Sequence, residues 1–126
     1  MKAFLRGFSY AFQGIATYLR SSRNGRVHLF AFLLVVILGW ILKIQTLEWV
    51  GIFCISALVM SLEAMNTALE ALCDKLSPER SEEIKKVKDM AAGAVLIASI
   101  FALGIALLIF WGEIQDLGLN HWRTEN

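Results

Sequence analysis

Residues 49–76 read WVGIFCISALVMSLEAMNTALEALCDKL, an apolar run whose second half carries polar side chains along its length. A helix of 28 residues is long enough to cross a bilayer. A charged side chain at membrane depth costs a few kcal/mol, so these side chains need a reason to be there. Whether the run is a membrane span depends on what surrounds it.

Two further apolar blocks flank this run. Residues 29–42 are 14 residues without a charge, and residues 90–112 are 23, when about 20 suffice to span the hydrocarbon. Basic residues at both ends of the first block can snorkel and lengthen it. At 57% hydrophobic residues the chain of 126 is too apolar for a typical soluble domain. We therefore expect one membrane-embedded domain with spans at about residues 27–43, 48–74 and 89–112.

The basic residues are distributed unevenly around these spans. Ten of the twelve Lys and Arg lie before the first span or between the second and third. The positive-inside rule places those two segments in the cytoplasm and the carboxyl terminus outside. Residues 1–26 have no apolar core followed by a small-residue cleavage site, so no cleavable signal peptide is expected.

Residues 3–20 have the pattern of an amphipathic helix. Apolar side chains recur at spacings of four, four, three and four, which puts them on one face: Phe4, Phe8, Phe12, Ile15 and Leu19. Such a helix suits the cytoplasmic membrane surface. It could equally pack on the inner end of the helix bundle, and the two alternatives are compatible.

The polar residues of the second span share one face. At about 100° per residue they fall within an arc of roughly 80°: they are Glu63, Asn66, Glu70 and Asp74. If the helix starts at Trp49 on the outer side, Glu63 lies about 21 Å deep and Glu70 about 31 Å, near the inner surface. One such residue is readily explained by hydrogen bonding between helices. Four on one face, beside a Lys88-Asp89 pair, favour a functional site.

Phosphoryl transfer from a nucleotide to a lipid alcohol fits this arrangement. It needs carboxylates for Mg²⁺, a cation for the phosphates and a base for the acceptor hydroxyl. The chain has no Walker A loop and no glycine-rich kinase loop, so the site must be of another type.

Two stretches carry a resemblance to a known family. EAMNTALEALCD at residues 63–74 and KDMAAGAV at residues 88–95 resemble the small bacterial diacylglycerol kinase and undecaprenol kinase family. The plan of a surface helix and three spans is also similar. The resemblance implies an all-α integral membrane protein of the bacterial inner membrane that forms homotrimers with shared active sites. It further implies that ATP is the co-substrate, Mg²⁺ the cofactor and a membrane lipid alcohol the acceptor, with no nucleic-acid partner.

The resemblance also assigns roles by position. It makes Glu63 the catalytic base that meets the lipid substrate, and Asn66 its neighbour in the site. Glu70 becomes the metal-binding carboxylate. The residues implied to bind ATP are Tyr10, Glu70, Glu79, Arg80, Lys88 and Asp89.

One position departs from the family pattern. Related sequences carry a second metal-binding glutamate in the hinge before the first span, where SSRNGRVH at residues 21–28 has Ser22. A hydroxyl is a poorer Mg²⁺ ligand than a carboxylate, so Asp74 is a candidate substitute. His28, at the membrane edge, is expected to be a structural hydrogen-bonding residue.

Two other functions remain open alternatives. The serine at position 22 would suit a non-catalytic oligomeric membrane protein that binds nucleotide or lipid. An ion pathway through Glu63 and Glu70 would need polar residues toward the outer face, where residues 49–62 offer only Ser56 and Ser61. For a kinase, both undecaprenol and diacylglycerol remain possible acceptors, and the hinge pattern slightly favours undecaprenol.

Overall fold

Four helices make up the chain in a computed structural model that describes residues 1–76 and 81–124, with side chains for 1, 4–76 and 81–115. They are α1 (Lys2–Ser21), α2 (Arg23–Leu42), α3 (Thr46–Leu76) and α4 (Glu82–Thr124). The expected all-α fold is confirmed. Three of the helices, α2, α3 and α4 as far as Gln115, are long and apolar enough to cross a membrane.

A single residue separates α1 from α2. Ser22 has extended backbone angles, its N–H donates to the Tyr18 carbonyl at 2.8 Å, and its Oγ accepts from the Gly25 N–H at 2.9 Å. Ser22 thus ends one helix and is the N-cap of the next. The hinge expected before the first span is confined to Ser22, because this serine satisfies the open backbone groups on both sides.

The turn between α2 and α3 is equally compact. Lys43 ends α2 in the left-handed conformation (φ 57°, ψ 42°), and the Ile44 N–H donates to the Gly39 carbonyl at 3.2 Å. The buried Gly39 leaves room for Ile44, since a Cβ at Gly39 would lie 2.9 Å from the Ile44 side chain. This turn makes α2 and α3 an antiparallel hairpin.

Helices α3 and α4 form the most extensive contact in the chain, and α2 packs beside them. Small and branched side chains are buried along their length, including Ile52 and Val59 on α3 and Val95 and Ala98 on α4. A largely apolar cavity of about 220 Å³ lies between the three helices. Most large apolar side chains on the outside of α2 and α4 are exposed, as expected of surfaces that face lipid or other subunits.

The helices are longer than the predicted spans. α2 begins at Arg23 rather than near residue 27, and α4 runs from Glu82 to Thr124 rather than from residue 89 to 112. Hydropathy marks only the lipid-facing part of a helix, whereas backbone hydrogen bonding continues into the charged flanks until a cap or a proline ends it.

Gly25 of α2 packs closely against Tyr18 of α1. A Cβ there would lie 2.6 Å from two ring carbons of Tyr18, far inside van der Waals contact. We expect Gly25→Ala to displace the Tyr18 ring and to lower the free energy of unfolding by about 1–3 kcal/mol, the usual cost of overpacking. Thermal unfolding in detergent micelles measures this change.

Gly14→Ala is the matched control for this prediction. Gly14 is also helical, but a Cβ there would meet nothing within 4 Å. Alanine is the better helix former, so this variant should be as stable as the parent or slightly more stable. Equal stability of the two variants would contradict the close packing of Tyr18 on Gly25.

Candidate active site

Glu63 is the most deeply buried charged side chain of the described residues. It is 3% exposed, on the face of α3 that meets the junction between α1 and α2. The Ser22 hydroxyl donates to Glu63 Oε1 at 2.9 Å. A carboxylate removed from water this completely is costly, and one neutral hydroxyl offsets only part of that cost. The Glu63 carboxylate is therefore a strong hydrogen-bond acceptor that can take a further donor.

Asn66 and Glu70 lie along the same face toward the charged end of α3. The Asn66 side-chain amide donates to Glu70 Oε1 at 3.0 Å. Asn66 is 6% exposed, and its Oδ1 has no hydrogen-bond partner in the part of the chain that the structure describes. Buried amide oxygens nearly always find a partner, so this oxygen is available to a ligand.

Lys88 reaches across from α4 to the end of the same face. Its Nζ lies 2.8 Å from Asp74 Oδ1, and the two side chains are 33% and 68% exposed. A solvent-exposed pair of this kind contributes little to stability, so an incoming anion can compete for the lysine at small cost. The predicted face of four polar residues thus meets a cation, and the four run from buried Glu63 to exposed Asp74.

Tyr18 closes the buried end of this face. It is 9% exposed, packs against Gly25, and its hydroxyl has no partner among the described residues. Burial, together with the nearby charge of Glu63, raises the pKa of the Tyr18 phenol above its ordinary value of 10.0. The phenol therefore keeps its proton at neutral pH and remains a hydrogen-bond donor.

Other predicted site residues are not brought to this face. Tyr10 is 67% exposed on α1. Asp89 pairs with Lys85 on its own helix at 3.0 Å. The adjacent Lys88 pairs instead with Asp74 of α3. Glu79 and Arg80 lie outside the described residues.

The residues present fit a Mg²⁺ ion that is carried mainly by a nucleotide. Among the described side chains no group of three His, Cys, Asp or Glu could hold a metal ion. The Glu70 carboxylate and the unpartnered Asn66 Oδ1 are hard oxygen donors one helical turn apart. Mg²⁺ in phosphoryl-transfer sites is typically bound by one or two protein oxygens, with phosphate oxygens and waters completing its shell.

His28 lies on α2, six residues after the N-cap Ser22. It is half-buried and lines the cavity between α2, α3 and α4, together with Ser56 and Ser99 as its other polar residues. No described carboxylate lines this cavity, and the structural hydrogen-bonding role expected of His28 stays a prediction.

Sequence reasoning did not single out Tyr18 or Gly25. The available signal was the spacing Tyr18–Ser22–Gly25, since an N-cap serine has its partner N–H three residues later and a helix ends by bonding four residues back. That spacing shows how the backbone turns. It does not show that the phenol lies inward beside Glu63.

Comparison with known proteins gives the family of this chain. The sequence profile of the prokaryotic diacylglycerol kinase family matches residues 9–110. The chain is 34% identical over 110 residues to undecaprenol kinase of Bacillus subtilis, covering 87% of this chain and 89% of that protein. It is 37% identical over 100 residues to diacylglycerol kinase of Synechocystis (79% and 57%), and 29% over 109 residues to diacylglycerol kinase of Escherichia coli K12 (86% and 89%).

The three apolar helices and the family match place the chain among helical membrane proteins, here with a buried carboxylate, Glu63. Within this class the chain belongs to the prokaryotic diacylglycerol kinase family, a family of lipid kinases.

Proposed function

We propose that this kinase transfers the γ-phosphoryl group of ATP to the hydroxyl of a membrane lipid alcohol, undecaprenol or diacylglycerol. One observation carries the proposal: the carboxylate of Glu63 is 3% exposed, at the apolar end of a polar face whose other end holds Lys88 in solvent. A lipid hydroxyl can reach the apolar end and a nucleotide the aqueous end. The names of the relatives support both acceptors.

Glu63 is the base in this proposal. The acceptor alcohol gives its proton to the carboxylate as its oxygen bonds to the γ-phosphorus, and the bond to the β-phosphate oxygen breaks with its electron pair passing to ADP. Ser22 donates to one carboxylate oxygen at 2.9 Å and so fixes the orientation of the other. A base held in position in a dry environment is what general base catalysis requires.

Lys88 binds the phosphates in this proposal. Nucleotide phosphates replace Asp74 as the partner of the Lys88 ammonium group. The ammonium group then stabilises the negative charge that develops on the phosphates during transfer. Glu70 and Asn66 would hold Mg²⁺, which neutralises phosphate charge when bound. The sequence also assigned Tyr10, Glu79, Arg80 and Asp89 to the nucleotide, and these remain proposals.

A homotrimer with shared active sites would supply space that the cavity between α2, α3 and α4 does not. That cavity measures about 220 Å³, below the roughly 300–1,000 Å³ typical of small-ligand pockets, and none of Glu63, Asn66, Glu70 and Lys88 lines it. Neighbouring subunits would complete the site.

The orientation in the membrane is proposed from the positive-inside rule. The amino terminus and the connection between α3 and α4 would face the cytoplasm, with α1 on the membrane surface and Lys88 on the side of ATP.

The serine at the hinge leads to a prediction about magnesium. Ser22→Glu adds a carboxylate beside Glu63, where related sequences have one, and so adds a hard oxygen ligand. We expect the variant to need less free Mg²⁺ for half-maximal rate, by about threefold or more. Rates measured across a Mg²⁺ titration at fixed ATP show the change.

Ser22→Gln is the control, because it matches the glutamate in length and also loses the N-cap hydroxyl, at a cost of about 1 kcal/mol. The two variants differ only in charge and in ligand strength. The same Mg²⁺ dependence in both would mean that position 22 does not face the metal. Asp74→Asn then becomes the informative variant, since Asp74 is the next candidate carboxylate.

The preferred acceptor follows from a competition experiment. Undecaprenol and diacylglycerol are offered together in mixed micelles with labelled ATP, and the two lipid phosphates are separated. We expect more label in undecaprenyl phosphate; a preference for diacylglycerol would reverse that assignment, and no label in either lipid would contradict the proposed function.

A further inference from the structure

The proposed reaction leaves the Tyr18 hydroxyl without a role. Its residue is nine-tenths buried, at the last turn of α1, and the hydroxyl has no hydrogen-bond partner within the described part of the chain. A phenol that only fills space would be better replaced by phenylalanine, because a buried hydroxyl without a partner costs free energy. The hydroxyl, which would lie 2.8 Å from a Cβ on Gly25, is thus a donor free to bind an acceptor that the described chain does not supply.

The position of this phenol is fixed by the backbone around it. The Tyr18 carbonyl accepts from the Ser22 N–H at 2.8 Å, and the ring lies against Gly25, where any Cβ would overlap it at 2.6 Å. Ser22 also bonds to Glu63, so one residue ties the tyrosine and the carboxylate to the same junction. This packing fixes the position of the Tyr18 ring and therefore the direction of its hydroxyl.

The phenol lies within electrostatic range of Glu63 and does not hydrogen-bond to it. The carboxylate's charge contributes to the raised pKa of the phenol, after the larger effect of burial. The group is therefore a neutral O–H donor at the same helix junction as a carboxylate acceptor, because Ser22 hydrogen-bonds to both residues. An alcohol can use such a pair, because it gives one hydrogen bond and accepts another.

We propose that the Tyr18 hydroxyl donates a hydrogen bond to the oxygen of the acceptor lipid alcohol while Glu63 accepts that alcohol's proton. This inference rests on the proposed function. The alcohol oxygen uses one lone pair to bond to the γ-phosphorus and receives the tyrosine hydrogen bond on the other. Tyr18 keeps its own proton throughout, so the proton and electron balance of the transfer does not change.

The nucleotide is the less suitable partner for this phenol. The cation at the aqueous end of the site is Lys88, whose side chain is 33% exposed and paired with the still more exposed Asp74. Tyr18 is at the other end, buried together with Glu63 and Ser22. The hydroxyl therefore meets the acceptor and not the phosphates.

Tyr18→Phe tests the inference, because it removes only the hydroxyl and keeps the ring on Gly25. We expect kcat/KM for the lipid alcohol to fall about tenfold, the effect of one lost hydrogen bond, with the KM for ATP unchanged. Thermal unfolding should occur at the same temperature or higher, since an unpaired buried hydroxyl is gone. Steady-state rates are measured in mixed micelles with undecaprenol and with diacylglycerol.

Thr17→Val is the matched control. It removes a hydroxyl from the neighbouring residue on α1, where Thr17 is exposed and its hydroxyl donates to the Gln13 carbonyl at 2.8 Å. This variant should keep the parent's kinetics. Gly25→Ala gives a second test, because displacing the ring should reproduce the kinetic loss of Tyr18→Phe.

Three results would overturn the inference. They are a change of less than twofold in lipid kcat/KM for Tyr18→Phe, a loss confined to the KM for ATP, or an equal loss in Thr17→Val. If the unaltered chain transfers no phosphate to either lipid, the proposed function itself fails, and that result is distinct from the other three.

Discussion

Glu63→Gln should reduce lipid phosphorylation by at least a hundredfold. Glutamine keeps the shape of the side chain and can still accept the hydrogen bond from Ser22, so the packing around this 3%-exposed position is preserved. It cannot take a proton from the acceptor alcohol. General bases contribute about 10²–10⁴-fold to rate, which sets the expected loss. The measurement is kcat in mixed micelles with saturating ATP and lipid.

The stability of this variant separates a chemical from a structural effect. Removing a buried charge that has one neutral donor should leave the protein as stable or more stable. Glu113→Gln, on α4, is the control for the loss of a carboxylate elsewhere in the chain and should keep full activity. Turnover of Glu63→Gln within about threefold of the parent would remove Glu63 from the role of base.

Lys88→Ala should raise the KM for ATP and lower kcat, each by about tenfold or more. Asp74 holds the Lys88 ammonium group at the end of the polar face, at 2.8 Å. The ammonium group stabilises the phosphate charge most strongly in the transition state, so its loss should affect kcat as well as KM. Little stability should be lost, because the pair is exposed and leaves Asp74 hydrated. Initial rates at varied ATP and fixed lipid give both constants.

Lys85→Ala is the matched control, since Lys85 is also on α4 and also pairs with an aspartate, at 3.0 Å, but is 66% exposed. Its removal should change neither constant by more than about twofold. A response of the lipid KM alone in Lys88→Ala, or equal losses in the two lysine variants, would contradict the assignment of Lys88 to the phosphates.

The sequence was sufficient to predict the helices and the polar face. Helical periodicity is a local property, so the common face of residues Glu63 to Asp74 could be read from spacing alone, and the apolar blocks predicted three helices able to span a membrane. The same reasoning placed Lys88 just before the last span; in the structure it lies within the first two turns of α4, which begins at Glu82, and pairs with Asp74.

Contacts between helices could not be predicted in this way. That Ser22 caps α2 and also bonds to Glu63 depends on the angle between α1 and α3, which no spacing specifies. Spacing also did not show that Asp89 pairs with Lys85 on its own helix, and its contact with the nucleotide stays a prediction. The unpaired hydroxyl of Tyr18 likewise became visible only once its surroundings were known.

The most direct test of the central claim is transfer of label from γ-labelled ATP to lipid by the purified chain in mixed micelles. The parent and Glu63→Gln are compared with undecaprenol and with diacylglycerol, each in the presence and absence of Mg²⁺. We predict labelled lipid phosphate from the parent with at least one lipid, dependent on Mg²⁺, and essentially none from Glu63→Gln. Absence of labelled lipid from the parent, or equal labelling by the two proteins, would contradict the account.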